Sequence, residues 1–85
     1  MSQDEEKIQK VWKKGTVVPN KDPAIWRKDE CKALIKRDRY GDRDSRLGWE
    51  IHHPGGTEDE EKAIPLQWEN NVATGDGPLK CPVTS

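Results

Sequence analysis

An α+β fold is what this 85-residue sequence predicts, and three observations carry the prediction. Apolar runs of strand length, Ala33–Arg37, Leu47–Ile51 and Ala63–Leu66, alternate with charged or Pro- and Gly-containing stretches. Helical spacing appears at both ends of this series: Ile8, Val11 and Trp12 near the start, and a short run from Trp68 that closes on Gly75. Four tryptophans, Trp12, Trp26, Trp49 and Trp68, offer bulk for a core in a chain that is only 31% hydrophobic and 36% charged. That length allows one small domain, expected over residues 5–77, with frayed ends at 1–4 and 78–85.

The elements follow in order. Met1–Asp4 is expected to be disordered. Glu5–Lys14 reads as an amphipathic helix with acids at its start, lysines at its end and Gly15 as its stop. Thr16–Val18 is a short extended piece. Asp22-Pro23 carries the cap and first-turn signals of a second short helix, with Ile25 and Trp26 inward and Arg27 and Lys28 outward. Ala33–Arg37 and Leu47–Ile51 are expected to pair as a hairpin across Tyr40–Arg46. Period two places Trp49 and Ile51 on one face and Glu50 on the other. Pro54-Gly55-Gly56 forces a loop, and Thr57 can cap the acidic turn that follows. Ala63–Leu66 returns as a strand whose Pro65 demands an edge position. Trp68–Thr74 is a helix of two turns, with Trp68 and Val72 at i and i+4, and residues 78–85 read as a flexible tail.

A net charge of −1 gives no global attraction to nucleic acid, but the charge is uneven. Eight basic residues between Arg27 and Arg46 face five acids in the same span, whereas Thr57–Glu61 is nearly all acid. Cys31 and Cys81 lie far apart without CxxC spacing. A disulfide between them stays open, but two free thiols in an intracellular, cytoplasmic protein are expected. No apolar stretch approaches a signal-peptide core or a membrane span, so no membrane partner is expected.

Both histidines, His52 and His53, end the Leu47–Ile51 run, and the amide pair Asn70-Asn71 lies on the following helix. A two-stranded ribbon packed on one helix, with imidazole and amide converging, can hold one divalent cation. Neighbours in a regular strand point to opposite faces, so both rings share one site only if the strand twists or ends between them.

The segments Trp26-Arg27-Lys28-Asp29-Glu30-Cys31-Lys32-Ala33-Leu34-Ile35-Lys36-Arg37, Tyr40-Gly41, Gly48-Trp49-Glu50-Ile51-His52-His53, Pro65-Leu66-Gln67-Trp68-Glu69-Asn70-Asn71 and Gly75-Asp76 occur in that order. Together they resemble the HNH endonuclease domains built on the ββα-metal fold, here with an N-terminal helix and an extra β-hairpin. The resemblance implies His53 as general base, His52 and Asn71 as metal ligands, and Lys62 and Asn70 as supporting positions. It implies DNA as partner, with Arg27, Lys28, Lys36, Arg37 and Arg39 contacting phosphates. The cofactor would be a divalent ion, Mg, Mn, Ni or Zn, and an imidazole ligand favours the last three over magnesium. Three departures stand out: Lys62 replaces the motif's central Asn, Thr74 replaces a helix Lys near the phosphate, and the loop after His53 is shorter. Two functions therefore stay open, a weak metal-dependent endonuclease and a non-catalytic module that keeps the fold to bind nucleic acid or a protein.

Overall fold

Trp12 and Trp49 meet at the centre of the protein, ring centroids 5.2 Å apart and planes tilted by 46°. The computed structural model describes residues 3–85 and is an α+β fold of two helices and five strands in two small sheets. The disorder expected of Met1 and Ser2 lies outside the described residues, whereas Asp4 is already helical. Helix α1 (Gln3–Trp12) carries Asp4, Glu5 and Glu6 in its first turn and Lys10 in its last, the arrangement a helix dipole favours. Its spacing buries Val11 and Trp12 and lays Ile8 against the core, as expected. Trp12 Nε1 donates to the Pro23 carbonyl at 2.9 Å, so the buried indole keeps a partner.

Strands β1 (Thr16–Val17), β2 (Trp26–Lys28) and β3 (Leu34–Lys36) form an antiparallel sheet with β2 in the middle. Two expectations are corrected here. Asp22 starts no helix. Its carboxylate caps Ala24 N at 2.9 Å, and its carbonyl accepts from Ile25 N and Trp26 N at 2.9 and 2.8 Å, a single turn. The chain then enters β2, where partners on both sides outweigh a local capping signal. Nor does β3 pair with the later strand as a hairpin. β3 pairs with β2 along one edge, and after Lys36 a 3₁₀ turn at Arg37–Arg39 swings the chain away before a ladder can form on the other. Backbone pairing with the later stretch shrinks to a Lys36 N–Leu47 O bond at 3.2 Å and an isolated Tyr40–Trp49 bridge. The intervening loop closes so tightly that a Cβ at Gly48 would collide with the Asp42 carbonyl.

Strands β4 (Trp49–His52) and β5 (Ile64–Gln67) pair antiparallel, with Trp49 opposite Gln67 and His52 opposite Ile64. Each strand of a two-stranded sheet has an unpaired edge, which accommodates Pro65. Helix α2 (Trp68–Thr74) follows β5 without a break. The hydrophobic core consists of Val11, Trp12, Ile35, Trp49 and Ala63, with Ile8 and Ile51 against it. Trp26 and Trp68 are only half-buried.

A second, polar centre lies behind α2. The buried Asp29 carboxylate accepts from Cys31 N and Ala33 N at one oxygen, and from Gln67 N and Asn70 Nδ2 at the other. Asn70 is fully buried and exchanges two hydrogen bonds with the Val83 backbone, at 2.8 and 2.9 Å. Cys31 and Cys81 are joined in a disulfide, not free. Segment 78–85 is therefore no flexible tail: the disulfide, the Asn70–Val83 pair and Lys80 N on Thr74 Oγ1 at 3.0 Å lash it to the domain. With the thiols joined, the argument from free thiols for a reducing, cytoplasmic setting falls away. Among the described residues no helix is long and apolar enough to cross a membrane. Because α2 turns Asn70 and Thr74 inward, Val72 faces outward, 56% exposed.

Candidate functional site

Alternation along β4 decides which histidine does what. Trp49 and Ile51 face the core and α1, and His53 follows on the same side. Glu50 and His52 take the other face, the one α2 covers. His53 is extended (φ −107°, ψ 102°), which Pro54 after it favours. Gly55 and Gly56 then turn the chain with φ of 66° and 73°. A Cβ on Gly56 would come within 3.0 Å of the Asp76 carboxylate, so the turn seats closely against the end of α2.

On the opposite side, the Gln67 side chain caps α2 by accepting from Glu69 N and Asn70 N at 2.8 and 3.1 Å. The cap and Gly75 (φ 52°) bound a helix whose Asn71 reaches the Glu50–His52 face of β4. Asn71 Oδ1 lies 2.9 Å from His52 Nδ1. Asn71 Nδ2 donates to Glu50 Oε1 at 3.0 Å, and Arg43 grips both Glu50 oxygens at 2.8 and 3.0 Å. The Arg43 hydrogen bonds hold the Glu50 carboxyl below its usual range, burial opposing and Asn71 assisting. An ionised Glu50 can only accept, so it fixes the amide with Nδ2 toward itself and Oδ1 toward His52.

This pair fits a divalent cation. Amide Oδ1 has no proton to give, so without an ion the contact requires the imidazole proton on Nδ1; a cation would take that proton's place. Two donors each ~2.1 Å from one ion stand ~3.0 Å apart at a right angle, close to the existing 2.9 Å separation, although the ion would lie off the Nδ1–Oδ1 line and both side chains would have to turn to aim lone pairs at it. Glu50 and Arg43 supply the outer hydrogen bonds that metal ligands commonly have. Among the described residues no group of three His, Cys, Asp or Glu side chains gathers around a common point, so the rest of a coordination shell would fall to water and substrate.

His53 belongs to a different contact. Its Nε2 lies 3.0 Å from Glu60 Oε1, and Lys7 Nζ is 3.3 Å from the other Glu60 oxygen. The ring borders a groove of about 430 Å³ with Lys7, Ile8, Tyr40 and Ile51. The two imidazoles thus flank one strand end, His52 turned to α2 and His53 to the loop and α1.

The expected phosphate contacts separate into two groups. Arg27 donates to the carbonyls of Pro23, Lys13 and Gly15 at 3.0, 3.1 and 2.9 Å, and Arg37 bonds Gln9 and Glu5 at 3.0 and 2.6 Å. Arg27 thus holds the turn after α1 and Arg37 holds α1 itself, so both guanidinium groups already carry structural contacts. Lys28, Lys36 and Arg39 are less committed: Lys36 sits 5.4 Å above Trp26, and Arg39 has only loose ion pairs at 3.8 and 3.9 Å. Of the supporting positions, Asn70 belongs to the buried centre, whereas the Lys62 side chain is exposed and without a partner among the described residues. Glu50 was legible in sequence, since it stands two residues before His52 on a strand. Arg43, Glu60 and Lys7 carried no such signal. Comparison with known protein families, curated proteins and solved structures finds no match for this chain.

Proposed function

We propose that this chain is a metal-dependent endonuclease of the HNH type that hydrolyses DNA phosphodiester bonds. The observation that carries the reading is the convergence of His52 Nδ1 and Asn71 Oδ1 at 2.9 Å across a strand–strand–helix unit, with His53 next along the chain at the groove on the other face of the strand end. His52 and Asn71 would hold the cation. When bound there, a divalent ion neutralises charge on the scissile phosphate and the departing 3′ oxygen. His53 takes a proton from the attacking water; the water oxygen bonds phosphorus as the bond to the 3′ oxygen breaks. Glu50 and Arg43 keep the Asn71 amide in its coordinating orientation. Lys28, Lys36 and Arg39 are the cations available for phosphate contacts.

Thr74 supports a second reading, a DNA- or protein-binding module without catalysis. Where the HNH motif has a helix Lys near the phosphate, this chain buries a threonine on its own C-terminal segment. Plasmid nicking in Mn²⁺ or Ni²⁺ decides between them. The enzyme reading expects slow nicking by wild type and a fall of ~10²–10⁴-fold in His53→Ala. Retained DNA binding without nicking in any of these metals leaves the module.

A further inference from the structure

The loop that carries Glu60 is built more firmly than its acidic sequence suggests. Lys14 Nζ, just past α1, donates to three of its backbone carbonyls: Glu60 at 3.1 Å, Glu61 at 2.9 Å and Ala63 at 2.7 Å. Lys10 bonds the Glu61 carboxylate at 3.0 Å, and Lys7 pairs with Glu60. Lys7 and Lys10 of α1 and Lys14 just past its end therefore clamp 60–63, the loop that Lys62 itself does nothing to hold. What the clamp presents is one carboxylate oxygen 3.0 Å from His53 Nε2.

We propose that Glu60 is a positioning residue for His53, fixing the ring by accepting from Nε2–H so that Nδ1 keeps the lone pair. An ionised carboxylate has no proton to share, so the proton in this contact must sit on Nε2. The His53 hydrogen bond is the leading reason the Glu60 carboxyl lies below its usual range, with desolvation opposing and Lys7 adding to it. Nδ1 has no protein hydrogen bond among the described residues and is left for a water. A second group that sets the tautomer and angle of a catalytic imidazole is a general device of proton-transfer sites. Here it would be supplied by α1 and the short loop, with the central Asn of the HNH motif gone. The consequence for catalysis rests on the nuclease reading; the contact itself does not.

Glu60 is exposed, so Glu60→Ala and Glu60→Gln leave the core intact. Nitrogen-15 NMR of the side chains at neutral pH should show a protonated Nε2 on His53 whose proton exchanges slowly with water. In Glu60→Ala that proton should become invisible through fast exchange and the ring should gain mobility; Glu60→Gln, which can still accept, should restore part of the signal. Nicking should fall in Glu60→Ala by about 10- to 100-fold in kcat, with KM for DNA unchanged, as expected for a misaligned base. A wild-type His53 protonated on Nδ1 and not Nε2, or a ring signal unaltered in Glu60→Ala, overturns the assignment. Loss of the Nε2 signal in Glu60→Ala alongside a wild type that never nicks DNA supports the contact and removes the nuclease.

Discussion

Opening the Cys31–Cys81 disulfide should be among the most damaging changes this domain can undergo. The bridge closes a loop across 50 residues of sequence, and chain entropy for that length corresponds to about 4 kcal/mol at room temperature. A domain of this size has a net stability of only about 4–13 kcal/mol, so the bond supplies a third or more of it. The effect is also local. Without the bridge, Val83 and Lys80 lose the anchor that holds them on Asn70 and Thr74, and the buried Asn70 amide loses its backbone partners. Urea unfolding with and without reductant is the assay, checked by Cys31→Ala/Cys81→Ala. At a denaturant sensitivity of about 1 kcal/mol per molar, the midpoint should drop by about 3–4 M. Hydrogen exchange should show the Val83 amide losing protection before the core strands do. Coincident unfolding curves in the two conditions, or two titratable thiols in the native protein isolated without reductant, would refute the staple.

Four further outcomes follow from other contacts in the fold. Asp29→Asn puts an NH₂ group against donors that now share a carboxylate, and should destabilise by about 2–4 kcal/mol in thermal unfolding. Glu50→Gln should weaken Mn²⁺ binding by about 10- to 100-fold in calorimetry, because the Asn71 amide loses its charged anchor. The same variant tests pH dependence. Arg43 lowers the folded-state pKa of Glu50, so the contribution is complete above the ordinary carboxylate value and fades as pH falls through the lowered one. Wild type should therefore lose stability more steeply than Glu50→Gln on acidification, and the difference should shrink in high salt. For DNA, Lys28→Glu/Lys36→Glu/Arg39→Glu should reduce the salt dependence of binding by a log–log slope of about 3, whereas Arg37→Glu should act mainly on stability through α1.

Much of the site was legible in sequence because it rests on local periodicity. β4, β5 and α2 fall within a residue or two of where the apolar runs, Pro65 and Gly75 put them, and period two foretells that His52 and His53 part company. What failed was long-range. The Asp22 cap signal is genuine but yields one turn, because Trp26–Lys28 gains strand partners on both edges. A β3–β4 hairpin satisfied the pattern equally well, and only the 3₁₀ turn at Arg37–Arg39 excludes it. The disulfide depends on a meeting of residues 50 apart, which spacing cannot show. Val72 faces solvent because Asn70 and Thr74 have better partners in the C-terminal segment than a valine could make. Lys14 is the sharpest case: one lysine among several on and just after α1, set apart only by three carbonyls that converge on it in the fold.

The metal pair can be tested at its own atoms. Zinc titrated into nitrogen-15-labelled protein should shift His52 Nδ1 and the Asn71 side-chain amide together and saturably, with the His53 ring moving far less, and Asn71→Ala should abolish the response at His52. Zinc that leaves His52 and Asn71 unmoved, or that shifts only exposed carboxylates of the 57–61 loop, would contradict a cation held between helix and strand.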